Sequence, residues 1–73
     1  MNFNRAEIGR DAVPLTPVVF SDGETISSLL SKANISLLKG ELVVTRGGNV
    51  VELNEVAEHN GLYIITSNDK SGN

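Results

Sequence analysis

Residues 41–53 read ELVVTRGGNVVEL, and this stretch decides the local structure of the second half of the chain. Two runs rich in β-branched residues, Glu41–Arg46 and Asn49–Leu53, flank Gly47 and Gly48. Such runs are typical of β-strands, and a pair of glycines tolerates the positive φ angles of a tight turn. We therefore predict a β-hairpin whose two-residue loop is Gly47-Gly48.

A helical pattern precedes the hairpin. Its apolar residues recur with the spacing of a helix that buries one stripe against a core, at Ile26, Leu29, Leu30 and Ala33. Thr25 is placed to cap the helix N-terminus, and Asn34 to end the helix in the left-handed conformation. The apolar residues that follow are predicted to pack beneath the helix exit: Ile35, Leu37 and Leu38.

The remaining strands differ in their expected place in the sheet. Met1–Asp11 predicts a short strand that ends in a turn at Gly9-Arg10-Asp11. Ala12–Phe20 contains two prolines, which have no amide hydrogen to donate to a neighbouring strand. This segment is therefore predicted to be an edge strand. Leu62–Thr66 is apolar on both faces, which is typical of a strand near the sheet centre. Asn54–Asn60, between the hairpin and that strand, predicts a single helical turn or a short loop.

These elements predict an α+β fold, a small mixed β-sheet with one helix packed across it. A chain of 73 residues has room for one core, so we expect a single domain over residues 1–67 and a flexible polar tail over residues 68–73.

Composition restricts the classes of function. Six basic and nine acidic residues give a net charge of −3, the wrong sign for gripping a nucleic-acid backbone. No apolar run approaches the ~20 residues of a membrane helix, and no signal peptide is visible, so we expect no membrane partner and a cytoplasmic location. Cysteine is absent, which removes disulfides and thiolate chemistry.

Catalytic and metal-binding patterns are also missing from the sequence. His59 is the single histidine, and no serine or cysteine lies at a spacing that would indicate a nucleophile beside it. We therefore interpret His59 as a surface residue. Four glutamates lack the spacing of a calcium loop and are interpreted as a solvated face: Glu41, Glu52, Glu55 and Glu58. We expect neither an enzyme nor a cofactor.

The hairpin supplies the candidate binding residues. Strand alternation requires about half of its four valines to face away from the core, and Arg46 stands beside the turn. The predicted site for a protein partner comprises Val43, Val44, Arg46, Val50 and Val51. An alternative stays open, in which the hairpin pairs across a two-fold axis in a dimeric DNA-binding or virion structural protein.

Three stretches also resemble β-grasp, ubiquitin-like proteins, in particular the small sulfur carriers that include the thiamine sulfur carrier and the small subunit of molybdopterin synthase. They are Asp22–Leu30, which resembles the turn that opens the family's helix, Glu41–Val51, which resembles the following strand and turn, and His59–Ile65, which resembles the entry into the last strand. The resemblance covers residues 19–66 and implies the fold, together with a sheet face presented to a protein partner.

The chain departs from that family at its end. Sulfur carriers and modifiers end in Gly-Gly, whereas this sequence ends in Ser71-Gly72-Asn73. The resemblance therefore implies, as an alternative function, a degenerate sulfur carrier or ubiquitin-like modifier that acts through these three tail residues.

Overall fold

The computed structural model describes residues 3–11 and 13–67. Its elements, in chain order, are β1 (Asn4–Arg10), β2 (Thr16–Phe20), α1 (Ile26–Lys32), β3 (Glu41–Thr45), β4 (Val50–Val51) and β5 (Leu62–Ser67). The five strands form one sheet in the order β2-β1-β5-β3-β4. Only the β1–β5 pair is parallel. A mixed sheet with one helix confirms the predicted α+β fold and is compatible with a β-grasp-like arrangement.

The predicted positions of β5 and β2 in the sheet are confirmed. β5 lies at the centre, hydrogen-bonded to β1 on one side and to β3 on the other. β2 forms one edge of the sheet. Pro17 has no amide hydrogen to donate, and it is tolerated there because no strand lies on the outer side of β2. β2 begins at Thr16, later than the sequence indicated, and Val13 and Pro14 precede it as an irregular connection.

The prediction that Gly9 and Arg10 form a turn is wrong, because β1 continues through both residues. Gly9 is buried, and a Cβ atom there would lie 3.1 Å from Leu15 Cδ2 and 3.2 Å from Leu15 Cα. The absence of a side chain at Gly9 allows the β1–β2 connection to lie this close to the strand.

The helix has the predicted start, stripe and end. Thr25 has an extended backbone, and its Oγ1 accepts a hydrogen bond from the Ser28 amide at 3.3 Å. Asn34 follows the helix with a φ of 65°, the left-handed conformation. Ile35 and Leu37 pack against the core as predicted. The prediction for Leu38 is wrong, since its side chain is 64% exposed.

The hairpin is present, but its loop has three residues and not two. Val44 pairs with Val50, the Thr45 amide donates to the Asn49 carbonyl at 2.8 Å, and the Gly48 amide donates to the Thr45 carbonyl at 2.8 Å. Of the two loop glycines only Gly48 has a positive φ, 91°. This is the arrangement of a type I turn followed by a left-handed residue.

Residues 52–61 form a series of turns that is tied to the start of α1. The Ile26 amide donates to the Glu55 carbonyl at 2.9 Å, and the Ala57 amide donates to the Glu24 carbonyl at 2.8 Å. The core lies between α1 and one face of the sheet, and its buried residues are Ala6, Ile8, Val18, Phe20, Ile26, Leu29, Leu30, Val43, Ala57, Tyr63 and Ile65.

Candidate functional site

The side of the sheet opposite α1 carries a second apolar surface. Strand pairing places Val44 beside Ile64 of β5 and beside Val50 of β4, whereas Val43 pairs with Ile65 in the core. Because side chains alternate along a strand, Val44, Ile64 and Val50 share the face that α1 does not cover. We call this surface the open face. Its apolar members on β3, β4 and β5 are Leu42, Val44, Val50, Leu62 and Ile64, and Val19 of β2, which is 55% exposed, lies on the same face beyond β1.

Burial differs across the open face. Leu42, Val44, Leu62 and Ile64 are half-buried. Val50 is 62% exposed at the β4 edge of the sheet. The part of the open face on β3, β4 and β5 is thus an apolar patch of half-buried side chains with the exposed Val50 at its margin.

The other half of the open face is more polar. Arg5 and Glu7 of β1 are both exposed and occupy this face by the same alternation, opposite Val19 and Pro17 of β2. Among residues 3–11 and 13–67, neither Arg5 nor Glu7 forms an ion pair. The apolar patch therefore has a charged margin on its β1 side.

The five residues predicted to bind a partner divide between the two faces. Val44 and Val50 lie on the open face. Val43 is 1% exposed in the core, and Val51 packs against the core, so neither side chain reaches the open face. Arg46 is exposed in the hairpin loop, and its amide donates to the Leu62 carbonyl at 3.2 Å. Ser71, Gly72 and Asn73 lie outside the described residues.

Sequence reasoning missed the open-face residues of β3 and β5 other than Val44, namely Leu42, Leu62 and Ile64. A signal for them existed, since Leu42 precedes Val44 by two positions and Leu62 precedes Ile64 by two, the spacing of one strand face. Choosing between the two faces requires the strand register, which only the assembled sheet provides.

Glu41, one of the four glutamates interpreted as part of a solvated face, instead holds β1 and the residues before β3 together through hydrogen bonds. Arg10 Nε donates to Glu41 Oε2 at 2.9 Å, and Arg10 Nη2 donates to Glu41 Oε1 at 2.8 Å. The Leu38 amide donates to the same carboxylate at 2.8 Å. The Arg10 hydrogen bonds, followed by that of the Leu38 amide, lower the pKa of Glu41 below its ordinary value.

Glu24 anchors the start of α1 in a similar way. Its carboxylate accepts a hydrogen bond from the Ser21 amide at 2.7 Å and another from the Ser28 hydroxyl. The amide contact, followed by the hydroxyl contact, lowers the pKa of Glu24. Lys32 completes the cluster, with its Nζ 3.5 Å from the carboxylate.

His59 is exposed, as predicted, but it also has a structural contact. Its Nδ1 atom accepts a hydrogen bond from the Arg5 amide at 3.1 Å, and the neighbouring Asn60 amide donates to the Arg5 carbonyl at 2.6 Å. These bonds fasten the 58–61 turn to β1.

Within the described part of the chain, no group of three or more histidine, aspartate or glutamate side chains is arranged to hold a metal ion. Nor does any helix in those residues have the length and apolar character needed to span a bilayer. Comparison with protein-family models, with curated proteins and with solved structures finds no match for this chain.

Proposed function

We propose that this protein is a non-catalytic protein-binding module that docks transiently on another protein through its open face. The observation that carries the proposal is the apolar cluster on the side of the sheet opposite α1, where Val44 lies beside Ile64 and Val50. An apolar sheet face with no helix over it is a common contact surface, since covering it removes apolar area from water.

The energetic contribution of such a contact is concentrated at the margin. Val50 is 62% exposed, so covering its side chain contributes about 1–2 kcal/mol. Leu42 and Ile64 are already half-buried and contribute less each. The charged residues Arg5 and Glu7 border the apolar patch on its β1 side, and polar residues are typical of the rim of an interface.

The size of the open face favours a transient partner over a permanent one. With strands ~4.8 Å apart and a rise of ~3.3 Å per residue, five short strands present roughly 24 by 15 Å. That area, on the order of 400 Å² per partner, is about half of what a standard stable interface uses on each side. A complex held by this face alone is therefore expected to be weak and reversible.

The proposal is tested with Val50→Lys and a control at another exposed apolar residue, Leu38→Lys. Leu38 is 64% exposed and lies in the connection between α1 and β3, not on the open face. The wild-type chain and both variants are immobilised, proteins captured from a lysate of the source organism are identified, and one is purified for calorimetric titration. Circular dichroism confirms that both variants fold.

We expect Val50→Lys to weaken binding of the purified partner by tenfold or more, because a lysine head cannot be buried against an apolar surface without a counter-charge. Leu38→Lys should bind as the wild type does. Equal binding by Val50→Lys and the wild type would refute docking through the open face.

A further inference from the structure

A groove of about 350 Å³ lies beyond the end of the sheet, between the hairpin loop and the segment 55–63. Val51, Val56 and Tyr63 supply apolar parts of its lining. Charged side chains stand at its walls, with Arg46 on the hairpin side and Glu55 and Glu58 on the other. Its volume is within the range of concave sites that hold small ligands or single side chains.

The wall that carries Val56 is held rigidly. The Glu55 carbonyl accepts the Ile26 amide, and the Ala57 amide donates to the Glu24 carbonyl, so the backbone is fixed on both sides of Val56. The Glu58 amide donates to Tyr63 Oη at 3.0 Å. Despite this support the Val56 side chain is 59% exposed. An apolar side chain is therefore held in solvent on a fixed backbone, at the edge of a groove.

The charge of that wall is negative. Residues 52–58 contain three glutamates and no basic residue. The Glu55 carboxylate accepts a hydrogen bond from the Glu52 amide at 3.2 Å. Within residues 3–11 and 13–67 the Glu58 carboxylate forms no hydrogen bond and no ion pair. Among the described residues that line the groove, Arg46 is the one cation against Glu55 and Glu58, so this lining has a negative balance, as has the whole chain at −3.

We infer that this groove is a second binding site, which receives a lysine or arginine side chain flanked by apolar residues from a protein or peptide. The aliphatic stem of the side chain lies on Val51 and Val56, and its cationic head lies near Glu58. Lysine and arginine combine an apolar stem with a charged end, which matches an apolar lining beneath an acidic wall. The inference is independent of docking through the open face.

The test uses two peptides that differ in their central residue, which is cationic in acetyl-Leu-Lys-Leu-amide and anionic in acetyl-Leu-Glu-Leu-amide. Each is titrated at millimolar concentration into the ¹⁵N-labelled full chain, and amide shifts are followed by NMR. The lysine peptide should shift the amides of Gly47, Val56, Glu58 and Tyr63. Its affinity should fall as salt is added, because exposed charges are screened. The glutamate peptide should leave these amides in place.

Three variants test whether the lysine head of the peptide contacts Glu58. Glu58→Gln should weaken the lysine peptide by a factor of about two to five, the range for one exposed ion pair. Glu52→Gln, the matched control, and Val50→Lys on the open face should each leave the affinity unchanged. Equal binding of both peptides, shifts confined to Val44, Val50 and Ile64, or no shifts at all would each overturn the inference, whatever the outcome for the open face.

Discussion

Arg10 and Glu41 join β1 to β3 across the central strand β5. The guanidinium donates to both carboxylate oxygens of Glu41, and Arg10 Nη2 also donates to the Ser36 carbonyl at 2.8 Å. Arg10 pairs in register with Ile65 and Glu41 with Ser67, so the two side chains meet above neighbouring positions of β5. A bidentate pair of this kind fixes geometry as well as charge.

This contact predicts a loss of stability in acid. The pKa of Glu41 is lowered from its ordinary value of 4.5, so its carboxylate stabilises the folded state above that pH. The contribution is lost as pH falls through the lowered pKa of the folded state. Glu41→Gln should lower the melting temperature at neutral pH, and its difference from the wild type should shrink below about pH 4.5. Thermal denaturation from neutral to strongly acidic pH measures both effects.

The control for this prediction is Glu52→Gln, since the Glu52 side chain is exposed and forms no ion pair within the described residues. It should melt as the wild type does at neutral pH. A Glu41→Gln difference that persists unchanged in strong acid would show that the carboxylate charge is not the source of the stabilisation.

Gly61 predicts a second sensitive position. A Cβ atom there would lie 2.6 Å from Tyr63 Cε2 and 2.9 Å from Tyr63 Oη. Tyr63 is 4% exposed, and its Oη accepts a hydrogen bond from the Glu58 amide. The ring therefore cannot move away from Gly61 without losing its packing in the core and this hydrogen bond. Gly61→Ala should reduce the free energy of unfolding by about 1–3 kcal/mol, as overpacked cores do. Urea denaturation provides the measurement.

Gly47→Ala is the matched control for Gly61→Ala, because the nearest atom to a Cβ at Gly47 is 3.8 Å away and the residue has no positive φ. It should be neutral or slightly stabilising. If Gly61→Ala were equally neutral, the close packing of Tyr63 on Gly61 would be wrong.

Local signals in the sequence predicted most of the fold. The helix stripe, the Thr25 cap and the left-handed Asn34 depend on neighbouring residues, so they are readable without tertiary contacts. The proline-bearing edge and the apolar centre of the sheet follow equally directly from the chemistry of Pro17 and Leu62–Thr66. Leu38 was misjudged because an apolar residue in a turn carries no signal of its own exposure.

The candidate site depends on strand register, which sequence reasoning did not obtain. A two-residue Gly47-Gly48 loop would place Val44 opposite Val51, whereas the three-residue loop places Val44 opposite Val50. One residue in the loop therefore decides which valines share the open face. The groove could not be predicted from the sequence for a related reason. Its walls come from the hairpin and from segment 55–63, and only the folded structure defines the distance between them.

The helix cap predicts a moderate effect on stability. Thr25 Oγ1 accepts the Ser28 amide, one of the donors that a helix N-terminus leaves unpaired. Thr25→Ala should lower the free energy of unfolding by about 1 kcal/mol, and Thr25→Ser, which keeps the oxygen, by much less. Urea denaturation of the two variants side by side measures the difference. Equal losses would assign the effect to the threonine methyl group.

The hairpin loop gives the prediction that tests the register of the site itself. Gly48 has a φ of 91°, and an alanine forced into a positive φ costs about 1–2 kcal/mol, so Gly48→Ala should be clearly destabilising in urea denaturation. Gly47→Ala should not be, because only one of the two glycines has a positive φ in a three-residue loop. A two-residue loop in a type I′ turn would require positive φ at both positions. Similar losses at Gly47 and Gly48 would therefore contradict the three-residue loop, and with it the pairing that places Val44 beside Val50 on the open face.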